Sequence, residues 1–393
     1  MYYLGERCRT IAATVRARSP DVEDTFFPQD WKQMIVVEAV VERLLKVLER
    51  EGLAKNSKPI VFRWLLSQKL LEPPTERPTD PILPTTSGGN PGLQHYLKSK
   101  NLANGKIDTI EREFANITQT VPKSSFPNYP IIENNISIDV QRRDTIKIVV
   151  AAFRESKVAA KAEFYLTEFR FLKLQERYQA VQGSSEGFRL HLAQLLMRYR
   201  TIAPLCSGYS GGCPAHLFQT FVHHLGTSWE LFASPLNFTL PNYLSAYNDT
   251  DGPFGSQGSF FRRFPEIVKS GGSFQLNPPF TEEYLSIATS MVLDALVDVC
   301  DSSLTFVYIH PVWPDLYGYR DMQRSPHLVR ELSFAPKQHY YESGLQHDPQ
   351  EQRVVASSAP STIFLLQNDC ARRENPISKE AISAIQAAFA RSE

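Results

Sequence analysis

Apolar residues recur at helical spacing over residues 31–51, where Ile35, Val36, Val40, Val41, Leu44, Leu45 and Leu48 share a face. Gly52 then supplies a C-terminal stop. A shorter helix is expected over 59–71. The stretch 72–92, crowded with proline, threonine and glycine, reads as an exposed loop or linker, either between subdomains or as an excursion from one helical domain. From 139 to 180 the pattern reads as helical throughout, with Phe164, Tyr165, Phe169, Phe171, Leu172 and Leu174 along its second half. Such an aromatic stripe is more often packed core than a base-stacking platform. Residues 188–202 form another amphipathic helix, which carries Arg198, Tyr199 and Arg200 at its end. The first half is therefore expected to be nearly all helix.

The texture changes after Ser207. Residues 208–212 read as a loop, 214–225 as a helix, 229–234 as a short apolar strand, and 242–261 as loop with Gly252, Gly255 and Gly258. A strand over 273–276 leads into Asn277. Thr281 is a good N-cap for a helix running to about Val299, with Glu282 and Glu283 in the first turn where the helix dipole favours acids. The continuous apolar runs 304–309 and 362–366 suit buried parallel strands, and 378–389 closes as a helix. Alternating strands and helices predict an α/β fold for this half. The division expected is a helical domain over 1–206, for support or RNA binding, and an α/β domain over 207–393.

Asn277-Pro278-Pro279-Phe280 is the most informative tetrapeptide in the chain. A planar exocyclic amine is a poor nucleophile because its lone pair is delocalised into the ring. The Asn277 amide oxygen and the Pro278 carbonyl can each accept one of its N–H bonds, turning the lone pair toward an electrophilic methyl group. Phe280 can stack on the base, while the two prolines stiffen the turn. The same four residues also suit an ordinary turn between strand and helix.

In an open α/β sheet, ligands bind at the carboxyl ends of the strands. Three strands deliver polar loops there: 229–233 into Ser234-Pro235-Leu236-Asn237, 274–276 into the tetrapeptide, and 307–309 into His310-Pro311-Val312-Trp313. No GxGxxG turn follows the first of them. Asp249, Asp251, Gly255 and Ser256 are the nearest candidates for gripping ribose hydroxyls or the amino-acid end of a methyl donor, or else form a solvent-exposed turn.

A formal net charge of +0 means that a nucleic-acid partner must be held by a local basic patch. Arg142, Arg143, Arg198, Arg200, Arg262 and Arg263 are the candidates for phosphate contacts, although each alone is more often a solvated surface charge. Cys8, Cys206, Cys213, Cys300 and Cys370 lie scattered without CxxC spacing, which favours reduced, structural thiols in an intracellular protein and gives no metal site. Arg7, Arg9, Arg16 and Arg18 suggest a presequence only faintly, because Glu6 and the acidic 21–24 run oppose it. No apolar stretch is long enough to span a bilayer.

Five segments then occur in order: 230–237 (ELFASPLN), 249–258 (DTDGPFGSQG), 272–280 (GSFQLNPPF), 341–347 (YESGLQH) and 364–368 (FLLQN). Together they resemble the phosphorylated-CTD-interacting-factor family, the cap-specific adenosine N6-methyltransferases, over roughly 229–389. The resemblance implies a helical domain fused to a Rossmann-like class I methyltransferase domain. The implied donor is S-adenosylmethionine, and the implied acceptor is the N6 of the 2′-O-methyladenosine next to the 7-methylguanosine cap of mRNA. By this pattern Asn277, Pro278, Pro279 and Phe280 are catalytic. Glu230, Ser234, Pro235, Asn237, Asp251, Phe254, Gly255 and Ser256, with Asn277, line the donor pocket. Trp313, His339 and His347 are carried over as cap or RNA contacts.

Animal members carry a WW module that reads polymerase tails. Trp31 and Trp64 lie too far apart, in helical sequence, to form one, so the chain is expected to lack the module and tail binding is doubtful. The resemblance implies a nuclear address; otherwise a cytoplasmic one is expected, and secretion is not. The 310–313 loop also lacks the acidic residue before tryptophan that the family pattern implies. Competing readings are an adenine-N6 methyltransferase for internal RNA or DNA, dimethylation of the cap adenosine, methylation of a glutamine amide, and a non-catalytic adaptor that binds RNA or partners.

Overall fold

The computed structural model describes residues 29–71, 80–84, 89–123, 133–141, 145–154, 156–205, 211–344 and 354–390. Four helices open it: α1 (Gln29–Arg50), α2 (Ser57–Leu71), α3 (Pro91–Ser99) and α4 (Asn104–Thr120). Trp31, Val37, Val40, Leu44 and Leu48 of α1 are buried, as the spacing requires.

The next segment corrects the helical reading of 139–180. An antiparallel sheet forms from β1 (Ile136–Val140), β2 (Thr145–Arg154) and β3 (Lys157–Thr167), in that order. Only then does α5 (Glu168–Gln182) begin, capped by the Thr167 hydroxyl, followed by α6 (Phe188–Ile202). The physical reason is a period of two. Ile146, Ile148, Val150 and Ala152 are buried on β2, as are Ala162, Phe164 and Leu166 on β3, while the residues between them are more exposed. The aromatic run 164–174 straddles the strand-to-helix boundary and so mimicked one long helical face. Helices and sheet share a core that runs from Trp31 to Ile202. The core also takes in Leu236, Tyr247 and Phe254, which stitches the second half to the first.

The second half comprises β4 (Gly211–Gly212), α7 (Ala215–Leu225), β5 (Trp229–Glu230), β6 (Asn242–Tyr243), α8 (Asn248–Asp251), α9 (Phe260–Ile267) and β7 (Gly272–Leu276). It continues with α10 (Glu282–Asp298), β8 (Leu304–Pro311), α11 (Tyr317–Arg324), β9 (Leu328–Phe334), β10 (Tyr340–Ser343) and β11 (Val354–Ala356). It ends with β12 (Ser361–Gln367), α12 (Asp369–Glu374) and α13 (Lys379–Phe389). The region 242–261, expected as loop, thus holds β6, α8 and the start of α9.

Six strands form one sheet in the order β6-β5-β7-β8-β12-β9. The first four run parallel, but β12 is antiparallel to both β8 and β9, so the 362–366 run is not the parallel strand its composition suggested. Burial on both faces explains its apolar character just as well. Phe306, Tyr308, Phe364 and Leu366 face a core that α9, α10 and α11 complete. Val307, Ile309, Ile363 and Leu365 face α7 and α13. The result is a three-layer α/β arrangement. A separate small sheet, β11-β10-β4, lies outside it. No helix among the described residues is long and apolar enough to cross a membrane.

Candidate functional site

β5 is the first strand laid into the large sheet, and its two parallel neighbours are β6 on one side and β7 on the other. The chain therefore leaves β5 in one direction and returns to the opposite side. Such a reversal opens a crevice at the carboxyl ends of the two diverging strands. Glu230 closes β5, and Asn277 follows directly on β7, so both lie at that point.

Asn277 has a divided amide. Its Nδ2 donates to the Gly211 carbonyl at 2.7 Å, whereas its Oδ1 is buried and has no hydrogen-bond partner among the described residues. An unpaired buried acceptor costs about 1–3 kcal/mol, so this oxygen is open to a donor from water or from a ligand. Pro278 is buried, and Thr281 closes the turn by donating its N–H to the Pro279 carbonyl at 2.7 Å. The Thr281 hydroxyl caps α10 as expected. Phe280 is half-buried at the seam between the two faces of the sheet, and its ring meets that of Tyr341 edge-on at 6.5 Å. The arrangement offers one oriented acceptor beside one partly open aromatic ring.

The loop after β5 is tied down by its own residues. Buried Glu230 accepts the N–H groups of Thr239 at 2.8 Å and Leu240 at 3.0 Å through Oε2. Burial raises its pKa, opposed by those two bonds and by the charges of Lys173 and Arg170. Lys173, whose pKa burial lowers, donates to the Phe238 carbonyl at 2.7 Å, and Arg170 reaches the same oxygen at 3.2 Å. Arg177 donates to the Pro241 carbonyl at 2.6 Å. Ser234 gives both its N–H (2.8 Å) and its hydroxyl (2.9 Å) to Asn237 Oδ1, next to buried Pro235. A Cβ on Gly212 would lie 3.4 Å from the Asn237 amide nitrogen, which places that side chain beside β4.

The other positions read as donor contacts are internally satisfied. Asp251 is fully buried and accepts from Tyr199 at 2.9 Å and Thr250 at 3.1 Å, with Ser245 as a third donor. Burial pushes its pKa up to about 7. Phe254 packs into the first core against Tyr178 and Phe188. Gly255 holds φ +89°, and a Cβ there would strike the Arg177 guanidinium, so both backbone and space require glycine. Ser256 pairs with Ser245 at 2.6 Å and accepts from the Gly258 N–H.

Two expected RNA contacts are corrected. The Arg198 guanidinium is 3% exposed and grips Asp249 with two bonds, of 3.0 and 2.7 Å, so it is a structural cation and not a surface one. His339 is fully buried against Phe334, Tyr341 and Phe389, its Nε2 2.8 Å from the Ser361 hydroxyl, and burial lowers its pKa to about 4. Arg262 and Arg263 are exposed, the latter paired with Glu266, and exposed Arg200 donates to the Glu163 carbonyl at 3.3 Å. Trp313 is half-buried beneath the Arg63 guanidinium, which also lies over Tyr96. His347, Arg142, Arg143, Cys8, Cys206 and the N-terminal arginines fall outside the described residues.

Sequence reasoning missed five contributors. Gly211, the anchor of Asn277, was visible only as part of a glycine-rich loop. Tyr341 lay inside a matched segment without a role of its own. Arg170, Lys173 and Arg177 recur at the spacing of one helical face, but were submerged in the single helix expected over 139–180.

A family model described as "Phosphorylated CTD interacting factor 1 WW domain" matches residues 170–344. The chain is 31% identical over 232 residues to a Homo sapiens protein named "mRNA (2′-O-methyladenosine-N(6)-)-methyltransferase", covering 57% of this chain and 32% of that protein. A Mus musculus protein of the same name is 33% identical over 208 residues, covering 51% of this chain and 29% of its own length. The chain thus spans about a third of the length of the curated relatives it matches. The family match also overturns the expectation that the chain is without the WW domain: the model bearing that name covers a stretch that includes neither Trp31 nor Trp64, the two residues on which the expectation rested.

Proposed function

We propose that this chain transfers a methyl group from S-adenosylmethionine to the N6 of the 2′-O-methyladenosine adjacent to the 7-methylguanosine cap of mRNA. The single observation that carries the reading is Asn277: its Nδ2 is anchored and its buried Oδ1 has no partner among the described residues, at the sheet's switch point. The activity named for the two relatives supplies the reaction class. The order of the parallel strands β6-β5-β7-β8 supports a Rossmann-like fold for this half, in which the donor crevice lies between β5 and β7.

The chain's residues suit such a donor at the loop leaving β5, where Ser234 and Asn237 form a rigid turn beside Gly212. The donor, when bound, supplies an electrophilic methyl carbon. The protein's part is to hold the acceptor: Asn277 Oδ1 and the Pro278 carbonyl take the two amine protons, the lone pair is thereby oriented, and Phe280 stacks on the purine. The proton released by the amine passes to water. Capped mRNA is the proposed partner, and the WW-named match keeps contact with a phosphorylated polymerase tail within the proposal.

The test uses matched RNAs beginning in 2′-O-methyladenosine, with and without the methylguanosine cap, followed by mass analysis of their nucleosides. One added methyl group at N6 on the capped RNA is the expected result. Equal methylation of uncapped RNA would overturn the cap requirement, and no methylation of any adenine would overturn the proposal itself.

A further inference from the structure

The tetrapeptide 277–280 is held from outside the large sheet. β10 pairs with β4 through Glu342↔Gly212 and Ser343↔Gly211, and with β11 on its other edge. From this small sheet come both groups that touch the tetrapeptide's working side chains. The Gly211 carbonyl receives the Asn277 Nδ2 proton at 2.7 Å. An amide has a donor end and an acceptor end, so binding the donor end here decides that Oδ1 is the end left open. Tyr341 sets its ring edge-on to Phe280, 6.5 Å between centroids and 82° between planes.

The small sheet is itself braced. The Tyr341 hydroxyl lies 3.0 Å from the Ser361 hydroxyl at the start of β12, and His339 Nε2 lies 2.8 Å from the same oxygen. Glu342 Oε1 accepts the Ala215 N–H at 3.3 Å, which fastens β10 to the first turn of α7. Gly211 and Tyr341 pack closely: a Cβ on Gly211 would stand 3.0 Å from the Tyr341 Cβ, a contact tight enough that one of them must shift.

We propose that the β4–β10–β11 sheet is a positioning clamp for the acceptor site, with Gly211 setting the orientation of the Asn277 amide and Tyr341 setting the plane of Phe280. Both are positioning residues that act through the tetrapeptide, and the proposal rests on reading 277–280 as the acceptor site. The clamp lets the site discriminate by geometry: with the amide fixed, a planar N–H donor is accepted and a group that presents only lone pairs is refused.

The experiment compares Gly211→Ala, Tyr341→Phe and Tyr341→Ala in the full chain, by steady-state kinetics on capped RNA, donor affinity and the ¹⁵N spectrum of side-chain amides. The Asn277 signal is identified by its loss in Asn277→Asp. Tyr341→Ala and Gly211→Ala are expected to lower kcat by about 10-fold or more with donor Kd within about twofold, and to shift the Asn277 amide signal. Tyr341→Phe keeps the ring and is expected to recover kcat to within about threefold of the parent.

An unchanged kcat in both disruptive variants overturns the clamp, as does an unmoved Asn277 signal. So does a donor affinity that falls in step with kcat, since that marks general loss of structure. If Tyr341→Ala fails to fold, Gly211→Ala and Tyr341→Phe carry the same comparison. If the unaltered chain methylates no RNA, the reading of the site falls, and the amide spectra alone decide the clamp.

Discussion

Asn277 and Asp251 both lie beside the strands that flank the switch point, and both are polar side chains with buried oxygen atoms, yet their surroundings differ. Asp251 gathers Tyr199, Thr250 and Ser245 around its carboxyl group, and its partners come from both halves of the molecule. Asn277 is satisfied at its nitrogen and bare at its oxygen. A closed hydrogen-bond shell suits a residue that holds the fold, and an open acceptor can take a donor from a ligand or from water. The family resemblance implied Asp251 for the donor pocket and Asn277 for both pockets, and their local bonding differs.

The contrast breaks most directly at Asn277. Replacing it with alanine should lower kcat on capped RNA by about 10²–10³-fold, the loss seen when one oriented polar group is removed from a reacting centre. The thermal midpoint should move little, because an unpaired acceptor leaves with the side chain. A large drop in the midpoint, with activity retained per folded molecule, would place Asn277 beside Asp251 as a structural residue.

Phe280→Ala comes next. Stacking on an aromatic ring contributes about 1–3 kcal/mol per base, so the KM for RNA should rise while donor affinity stays put. Equal KM values for the two proteins would show that the half-buried ring is packing alone.

Asp251→Asn sharpens the comparison from the other side. The carboxyl group takes up a proton in the folded chain at about pH 7, against an unperturbed value of 3.8. Its stabilising contribution is therefore complete below the unperturbed value and is lost as pH rises through that window. Across it, the stability difference between parent and variant should change by on the order of 1 kcal/mol per pH unit, read by urea unfolding at several pH values. His310 and His339, both lowered to about 4 by burial, act with the opposite sign, losing their contribution as pH falls. They are common to both proteins and cancel in the difference. A flat difference would mean that Asp251 is ionised throughout.

Four strands of the large sheet, β5, β7, β8 and β12, were legible because they are short apolar runs that end in polar residues, whereas β6 lay in a region read as loop and β9 was not expected. The strands expected over 273–276 and 304–309 form as Gly272–Leu276 and Leu304–Pro311. The direction of β12 was not legible, since a strand buried on both faces looks the same in either direction. The β2–β3 hairpin was hidden by aromatic spacing that happened to continue into α5. At the site, the roles proposed for Asn277 and Phe280 were suggested by residue type alone. Gly211 could not, because it contributes a carbonyl oxygen that every residue possesses, from 66 positions away. Arg198 and His339 were misplaced for the converse reason: residue type announces a charge or an imidazole, and only packing decides whether solvent reaches it.

β12 carries a further consequence, for biosynthesis. It is the last strand in sequence among the described residues, yet it lies between β8 and β9, and its first residue, Ser361, takes the hydroxyl contact from Tyr341. A nascent chain therefore holds its acceptor residues long before it can seat them, because the sheet keeps a gap until residues 361–367 emerge from the ribosome. Translation that stalls short of that point yields a chain with the reactive tetrapeptide present and its support missing.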